Sequence, residues 1–164
     1  MDQRALAEGD GVPAFELPLD DGRRVSAATL KGRPYVLYFY PKDDTSGCTK
    51  EALAFSALYD RFRELGLEVI GISRDPLDSH SRFRKKHGLT IPLASDLDGQ
   101  VCAAFGVWVE KNMYGKTYMG IDRSTFLIDA DGRIARVWRK VKVPGHAEEV
   151  LEAARGLVAA ASRA

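Results

Sequence analysis

Cys48 is the residue of this 164-residue chain whose position best suits covalent chemistry. It lies about one turn inside the predicted junction between a buried strand and the helix that follows it. The free amides of a helix N-terminus and the helix dipole favour an anion, and the thiolate is the nucleophilic form of cysteine. A small buried hydrophobic side chain is the alternative. The polar residues at 42–47 argue against that alternative, so we interpret Cys48 as a reactive thiol.

Three neighbouring residues bear on this interpretation. Thr45 could accept a hydrogen bond from a substrate O–H while it donates one to the thiolate, or it could cap the helix. Pro41 fixes the entry of the chain and could shield the sulfur from water, or it could only terminate the strand. Glu51 occupies the position that the second cysteine of a C-x-x-C motif would need. A dithiol exchange pair is therefore absent here.

The segments around Cys48 alternate between strand and helix patterns. Continuous apolar runs at 35–40 and 67–73 predict buried strands, and helical spacing of apolar residues predicts a helix over 48–65. The remaining predicted elements are hairpins at 15–26 and 124–141, helices at 75–87, 98–105 and 146–158, and a strand at 91–95. This order predicts an α/β protein of thioredoxin-like fold, with an N-terminal β-hairpin and a mixed central sheet flanked by helices.

Composition restricts the class of protein. Hydrophobic residues make up 45% of the chain and charged residues 29%, which predicts one globular domain over 1–164 with a loose N-terminal segment at 1–12. A net charge of +1 argues against nucleic acid or a membrane surface as a partner. No stretch has the pattern of a secretory signal or a membrane span, and two cysteines do not make a disulfide framework. We therefore expect a cytoplasmic protein.

The spacing Pro41-x-x-x-Thr45-x-x-Cys48 resembles the P-x-x-x-T-x-x-C signature of peroxiredoxins, which are thiol peroxidases of thioredoxin-like fold. The wider sequence is similar to the bacterioferritin comigratory protein (PrxQ) subfamily in particular. The runs that carry this similarity are YFYPKDDTSGCTKEA (38–52), PLASDLDGQVCAAFGVW (92–108), GKTYMGIDRSTFLIDADGRI (115–134) and VPGHAEEVL (143–151).

The resemblance implies roles for five residues. Cys48 would be the peroxidatic nucleophile, in a pocket shaped by Pro41 and Thr45. Arg123 would be the family's essential arginine, which stabilises the thiolate and donates to the peroxide oxygens as the O–O bond breaks. The backbone N–H groups of Gly47 and Cys48 would be additional donors. Without the resemblance, Arg123 would be interpreted as a surface residue at a strand end.

Cys102 departs from the pattern of the subfamily. Leu53 stands where a resolving cysteine often lies, and the other recurring site, at 81–84, contains no cysteine. The apolar neighbours Val101 and Phe105 favour a partly buried core thiol at Cys102. Alternatively, Cys102 could resolve Cys48 after local unfolding, because a disulfide needs Cα atoms within about 7 Å of each other.

Together these features predict an antioxidant thiol peroxidase that reduces hydrogen peroxide and organic hydroperoxides without a metal or an organic cofactor. We expect a monomer that depends on an external thiol reductant such as thioredoxin, glutaredoxin or glutathione. The alternatives are a thiol–disulfide oxidoreductase and a non-catalytic thioredoxin-like binding module. His80, His87 and His146 lack the short spacings of zinc ligands, so neither a zinc site nor a cysteine–histidine hydrolase is favoured.

Overall fold

A computed structural model describes residues 6–162 and contains nine strands and five helices within that range. The strands are β1 (Glu16–Pro18), β2 (Arg24–Ser26), β3 (Tyr35–Phe39), β4 (Glu68–Ser73), β5 (Leu93–Ser95), β6 (Trp108–Met113), β7 (Lys116–Ile121), β8 (Ser124–Ile128) and β9 (Ile134–Trp138). The helices are α1 (Ala27–Leu30), α2 (Ser46–Glu64), α3 (Leu77–His87), α4 (Gln100–Ala104) and α5 (His146–Ser162).

The central sheet has five strands in the order β5-β4-β3-β8-β9. Strands β3, β4 and β5 are parallel, whereas β8 and β9 join by antiparallel pairing. All five residues of β3 are buried, as expected for a strand covered on both faces. The predicted thioredoxin-like fold, with its mixed sheet and its N-terminal hairpin β1–β2, is confirmed.

Each face of this sheet carries its own hydrophobic core. Side chains alternate along β3, so Leu37 and Phe39 pack into one core while Val36 and Tyr38 pack into the other. Helices α2, α3 and α5 contribute to the core around Tyr38, and the N-terminal hairpin and α4 contribute to the core around Phe39. The sheet thus separates the two halves of the apolar interior.

Helix α2 carries Cys48 and begins at the carboxyl edge of β3. Ala52, Phe55 and Phe62 form its buried stripe, at the spacing that places side chains on one helical face. The helix starts two residues earlier than predicted, and its last turn contains Arg61 and Arg63, which suit the negative end of the helix dipole. Burial of this stripe on the sheet fixes the direction in which the first turn points.

Helix α1 and the hairpin of strands β6 and β7 were not predicted from the sequence. Helix α1 has only four residues, although Ser26 and Thr29 form a capping box at its start. The hairpin β6–β7 pairs only with itself and is largely exposed, so it lacks the alternation of a half-buried strand. Its turn places Tyr114 and Gly115 at positive φ.

The start of the described chain is attached to the sheet. Gly9 N donates to Ile134 O at 2.8 Å, Ile134 N donates to Asp10 O at 2.8 Å, and Val12 N donates to Gly132 O at 2.9 Å. Residues 9–12 therefore differ from the loose segment predicted at 1–12, because β9 offers them backbone partners that no local pattern reveals. Residues 1–5 of that segment lie outside the described residues. Within 6–162, no helix has both the length and the apolar character needed to cross a membrane.

Candidate active site

The loop at residues 41–45 joins the end of β3 to α2 and is called the peroxidatic loop, after the role that the family resemblance implies for Cys48. Asp43 is buried within it, and its backbone N–H donates to Asp75 Oδ2 at 2.9 Å. Asp44 has a φ of 62°, a left-handed conformation that aspartate tolerates better than most side chains. This turn directs the chain into the first turn of α2.

Cys48 is the third residue of α2 and is only 1% exposed. The N–H groups of the first helical turn have no carbonyl partner within the helix, so those of Gly47 and Cys48 are available to an anion. The sulfur therefore lies where the backbone concentrates positive potential.

Arg123 joins this site from the residue before β8. Its Nη2 donates to Cys48 Sγ at 3.3 Å, and its Nη1 donates to Glu51 Oε1 at 2.7 Å. A Cβ at Gly47 would lie 3.2 Å from Nη2, so a side chain there would press on the guanidinium. Burial lowers the pKa of Arg123, but Glu51 and Cys48 outweigh it and hold this pKa above its ordinary value. The guanidinium is thus a fixed positive charge against the sulfur.

Glu51 is a residue whose role the sequence reasoning missed. Its side chain is 1% exposed, and Oε2 has no hydrogen-bond partner among the described residues. Burial raises the pKa of Glu51 to about 7, although Arg123 acts in the opposite direction. The available signal was its position three residues after Cys48, which places both side chains on one helical face. No pattern in the sequence indicated that Glu51 would pair with Arg123, which lies 72 positions away.

Thr45 differs in part from the expectation. It occupies the N-cap position of α2, but its side chain makes no capping hydrogen bond. Its hydroxyl donates to Lys42 O at 2.9 Å rather than to the thiolate. The physical reason is the tight turn of the peroxidatic loop, which brings the Lys42 carbonyl within reach. The hydroxyl oxygen keeps lone pairs that can accept from a substrate.

Pro41 begins the peroxidatic loop and is exposed. It forms part of a groove of about 390 Å³ that Trp108 and Ile121 also line. Ile121 lies two residues before Arg123, so the groove and the arginine share one segment of chain.

Cys102 lies in the core on the other face of the sheet. Cys48 belongs to the core that contains Tyr38, whereas Cys102 belongs to the core that contains Phe39. Burial, aided by Asp96, raises the pKa of the Cys102 thiol well above its ordinary value. Both cysteines are free thiols. The geometry matches the predicted core thiol, although Cys102 is fully rather than partly buried.

The three histidines are dispersed over different contacts. His80 Nδ1 pairs with Asp43 at 2.7 Å, and His87 Nε2 pairs with Asp44 at 2.7 Å. His146 Nε2 lies 2.8 Å from Thr125 Oγ1, and burial lowers the pKa of His146 to about 4. Within the described part of the chain, no group of three or more histidine, cysteine or acidic side chains could hold a metal ion.

A thioredoxin-like sheet that presents one cysteine to an arginine, with a glutamate in place of a second cysteine, has the arrangement of a thiol peroxidase. The comparison with known families agrees. The AhpC/TSA family model matches residues 9–137, and the chain belongs to this family. It is a peroxiredoxin, an enzyme that reduces peroxides with electrons from a thiol reductant.

Individual relatives support the resemblance to the bacterioferritin comigratory subfamily, which is confirmed. Peroxiredoxin Bcp of Xanthomonas campestris is 49% identical over 141 residues, which cover 85% of this chain and 88% of that protein. A mutant of Xylella fastidiosa PrxQ has a TM-score of 0.88 and 42% identity, covering 93% of this chain and 98% of that one. A structure of X. campestris bacterioferritin comigratory protein, solved to study its alkyl peroxide reduction activity, has a TM-score of 0.83 and 46% identity and covers 88% and 92%.

Proposed function

We propose that Cys48 is the peroxidatic nucleophile of this peroxiredoxin and that Arg123, Thr45, Pro41 and Gly47 complete its site. The observation that carries the proposal is the 3.3 Å contact between Arg123 Nη2 and Cys48 Sγ at the start of α2. A buried sulfur that faces a guanidinium and free helical amides is stabilised as a thiolate.

The first half of the cycle oxidises Cys48. The thiolate attacks one oxygen of the peroxide, an S–O bond forms, and the O–O bond breaks. The leaving oxygen takes up a proton and departs as water or an alcohol, while Cys48 becomes a sulfenic acid. Negative charge grows on the leaving oxygen, where the Arg123 guanidinium and the N–H groups of Gly47 and Cys48 can donate to it. Thr45 accepts from the peroxide O–H, and Pro41 limits the access of water.

The second half reduces Cys48 with an external thiol such as thioredoxin, glutaredoxin or glutathione. The reductant thiolate attacks the sulfenic sulfur, hydroxide leaves as water after protonation, and a mixed disulfide forms. A second thiol releases the Cys48 thiolate. The placement of Cys102 on the opposite face of the sheet supports this one-cysteine cycle. A reducing compartment such as the cytoplasm suits it, and we expect the enzyme to act as a monomer without metal or organic cofactor.

Hydrogen peroxide and organic hydroperoxides are the proposed substrates, because both carry the O–O bond and the O–H group that the site recognises. The alkyl peroxide reduction stated for the X. campestris relative supports the organic class. A dithiol exchange reaction is disfavoured by Glu51, and a binding module without catalysis would have no use for the contact between Arg123 and Cys48.

Peroxide consumption by purified protein with dithiothreitol as reductant tests the proposal. Cys48→Ser is expected to lose turnover completely, because serine cannot form a sulfenic acid. Cys102→Ser is the matched control and is expected to keep turnover. If Cys48→Ser kept its turnover, a residue other than Cys48 would be the nucleophile.

A further inference from the structure

A buried polar network joins α3 to the peroxidatic loop. His80 of α3 is 0% exposed, and its Nδ1 lies 2.7 Å from Asp43 Oδ2. Its Nε2 lies 2.9 Å from the backbone carbonyl of Ala94 in β5. One imidazole ring thus connects a helix, a strand and the loop that precedes Cys48.

Hydrogen bonds surround the carboxyl group of Asp43. Asp43 accepts from the Tyr40 hydroxyl at 2.6 Å and from the Ser79 hydroxyl at 2.8 Å, besides facing His80. A carbonyl only accepts, so His80 Nε2 donates to Ala94 O, and Nδ1 is left to face the Asp43 carboxyl group.

A further charged group near this pair is Asp75, which follows β4. Its Oδ2 accepts from the backbone N–H of Asp43 at 2.9 Å and from the Ser73 hydroxyl at 2.6 Å. Asp43 is thus held through its side chain by His80 and through its backbone by Asp75. Two anchors on one residue fix the middle of the peroxidatic loop.

We propose that His80, through its hydrogen bond to Asp43, is a positioning residue that holds the peroxidatic loop in the conformation that reacts with peroxide. This inference rests on the proposed role of Cys48. Asp43 lies between Pro41 and Thr45, so a displaced Asp43 displaces the groups that meet the peroxide. His80 acts through Asp43 and does not touch the substrate.

The chain offers a matched control for this pair. His87, the last residue of the same helix, contacts the neighbouring loop residue Asp44 at 2.7 Å, and Lys86 contacts Asp44 as well. These contacts join the same two elements at the surface, where solvent weakens an ion pair. Loss of one partner from a buried pair instead leaves a buried polar group without its hydrogen-bond partner, which is costly.

The first experiment compares His80→Gln and His80→Leu with His87→Gln. Stopped-flow fluorescence gives the rate constant of Cys48 with hydrogen peroxide, and iodoacetamide gives the alkylation rate of the same thiol. We expect the peroxide rate to fall about tenfold or more in His80→Leu and less in His80→Gln, which keeps one donor. The alkylation rate should change less than about twofold, as should both rates in His87→Gln. Equal losses in both reactions, or no loss in His80→Leu, would overturn the proposal.

A second measurement does not depend on whether a variant folds. In wild-type protein labelled with ¹⁵N-histidine, NMR should show a proton on Nε2 of His80 and a hydrogen bond between Nδ1 and the Asp43 carboxyl group. An unprotonated Nε2, or a missing hydrogen bond at Nδ1, would overturn the proposal. These results are distinct from a failure of the proposed function. In that case the Cys48→Ser variant would keep its turnover.

Discussion

Arg123 donates hydrogen bonds to two acceptors at once, one through each terminal nitrogen of its guanidinium. Nη1 binds Glu51 while Nη2 faces Cys48 Sγ, so the carboxylate fixes the direction of the donor that meets the sulfur. A planar guanidinium can form this fork, whereas the ammonium of lysine is a point charge.

Arg123→Ala is expected to slow the reaction of Cys48 with hydrogen peroxide by about 100-fold, since it removes a charge-assisted donor from the transition state. Arg123→Lys should recover only part of this loss. The measurement is the second-order rate constant from stopped-flow tryptophan fluorescence. Arg82→Ala removes an exposed arginine from α3 and serves as the control. An unchanged rate in Arg123→Ala would leave Arg123 without a catalytic role.

Substitutions of Thr45 test whether the reaction with peroxide needs the hydroxyl group or only the volume of the side chain. Thr45→Val keeps the volume but cannot accept from the peroxide or donate to Lys42 O, so we expect the peroxide rate to fall about tenfold. Thr45→Ser should keep most of the rate. Thermal unfolding of both variants shows whether the loop is damaged. If valine and serine variants react equally fast, peroxide does not use the hydroxyl.

At the scale of elements, the sheet decides the fate of the oxidised cysteine. Helix α2 packs on one face and α4 on the other, so β3 and its neighbours stand between the two thiols. A disulfide between them would require Cα atoms within about 7 Å and hence extensive unfolding. The sulfenic acid of Cys48 should therefore persist until an external thiol arrives.

One equivalent of hydrogen peroxide should accordingly produce a Cys48 sulfenic acid that dimedone traps, as detected by mass spectrometry. Cys102→Ser should give the same adduct and unchanged turnover with an added thiol. A loss of two hydrogens that maps to a Cys48–Cys102 bond would contradict the one-cysteine cycle, especially if Cys102→Ser lost turnover with thioredoxin.

For the whole molecule, two buried titratable groups give the stability opposite dependences on pH. Glu51 has a pKa of about 7 because of burial, above its ordinary 4.5, so its stabilising contribution is lost as the pH rises through this window. His146 has a pKa of about 4 because of burial, below its ordinary 6.5, so its contribution is lost as the pH falls. The two effects oppose each other in the intact protein.

Glu51→Gln should remove the first effect. The free energy of unfolding of this variant should therefore rise relative to that of the wild type as the pH rises from 4.5 to 8. The gain has an upper limit of about 3 kcal/mol, from a pKa difference of about 2.5 units at 1.36 kcal/mol per unit. Urea unfolding at several pH values measures it. Glu110→Gln, at an exposed carboxyl on β6, is the control. Parallel profiles for Glu51→Gln and wild type would contradict the raised pKa.

The sequence by itself determined the features that depend on neighbours along the chain. The unbroken apolar run at 35–40 required a strand buried on both faces, and helical spacing after Pro41 placed Cys48 in a first helical turn. The spacing of Pro41, Thr45 and Cys48 indicated the family. These signals are local, because strand burial and helix initiation are set by residues a few positions apart.

Only the tertiary structure decided which distant side chains meet. It paired Arg123 with Glu51, linked His80 to Asp43, and placed Cys102 behind the sheet. The contact of Arg123 with Cys48 was implied by the family resemblance, but no local pattern in the chain indicates it. The hairpin β6–β7 and the attachment of residues 9–12 to β9 likewise left no pattern in the sequence. The physical reason is that strand order and register bring together residues tens of positions apart, and no local periodicity records such contacts.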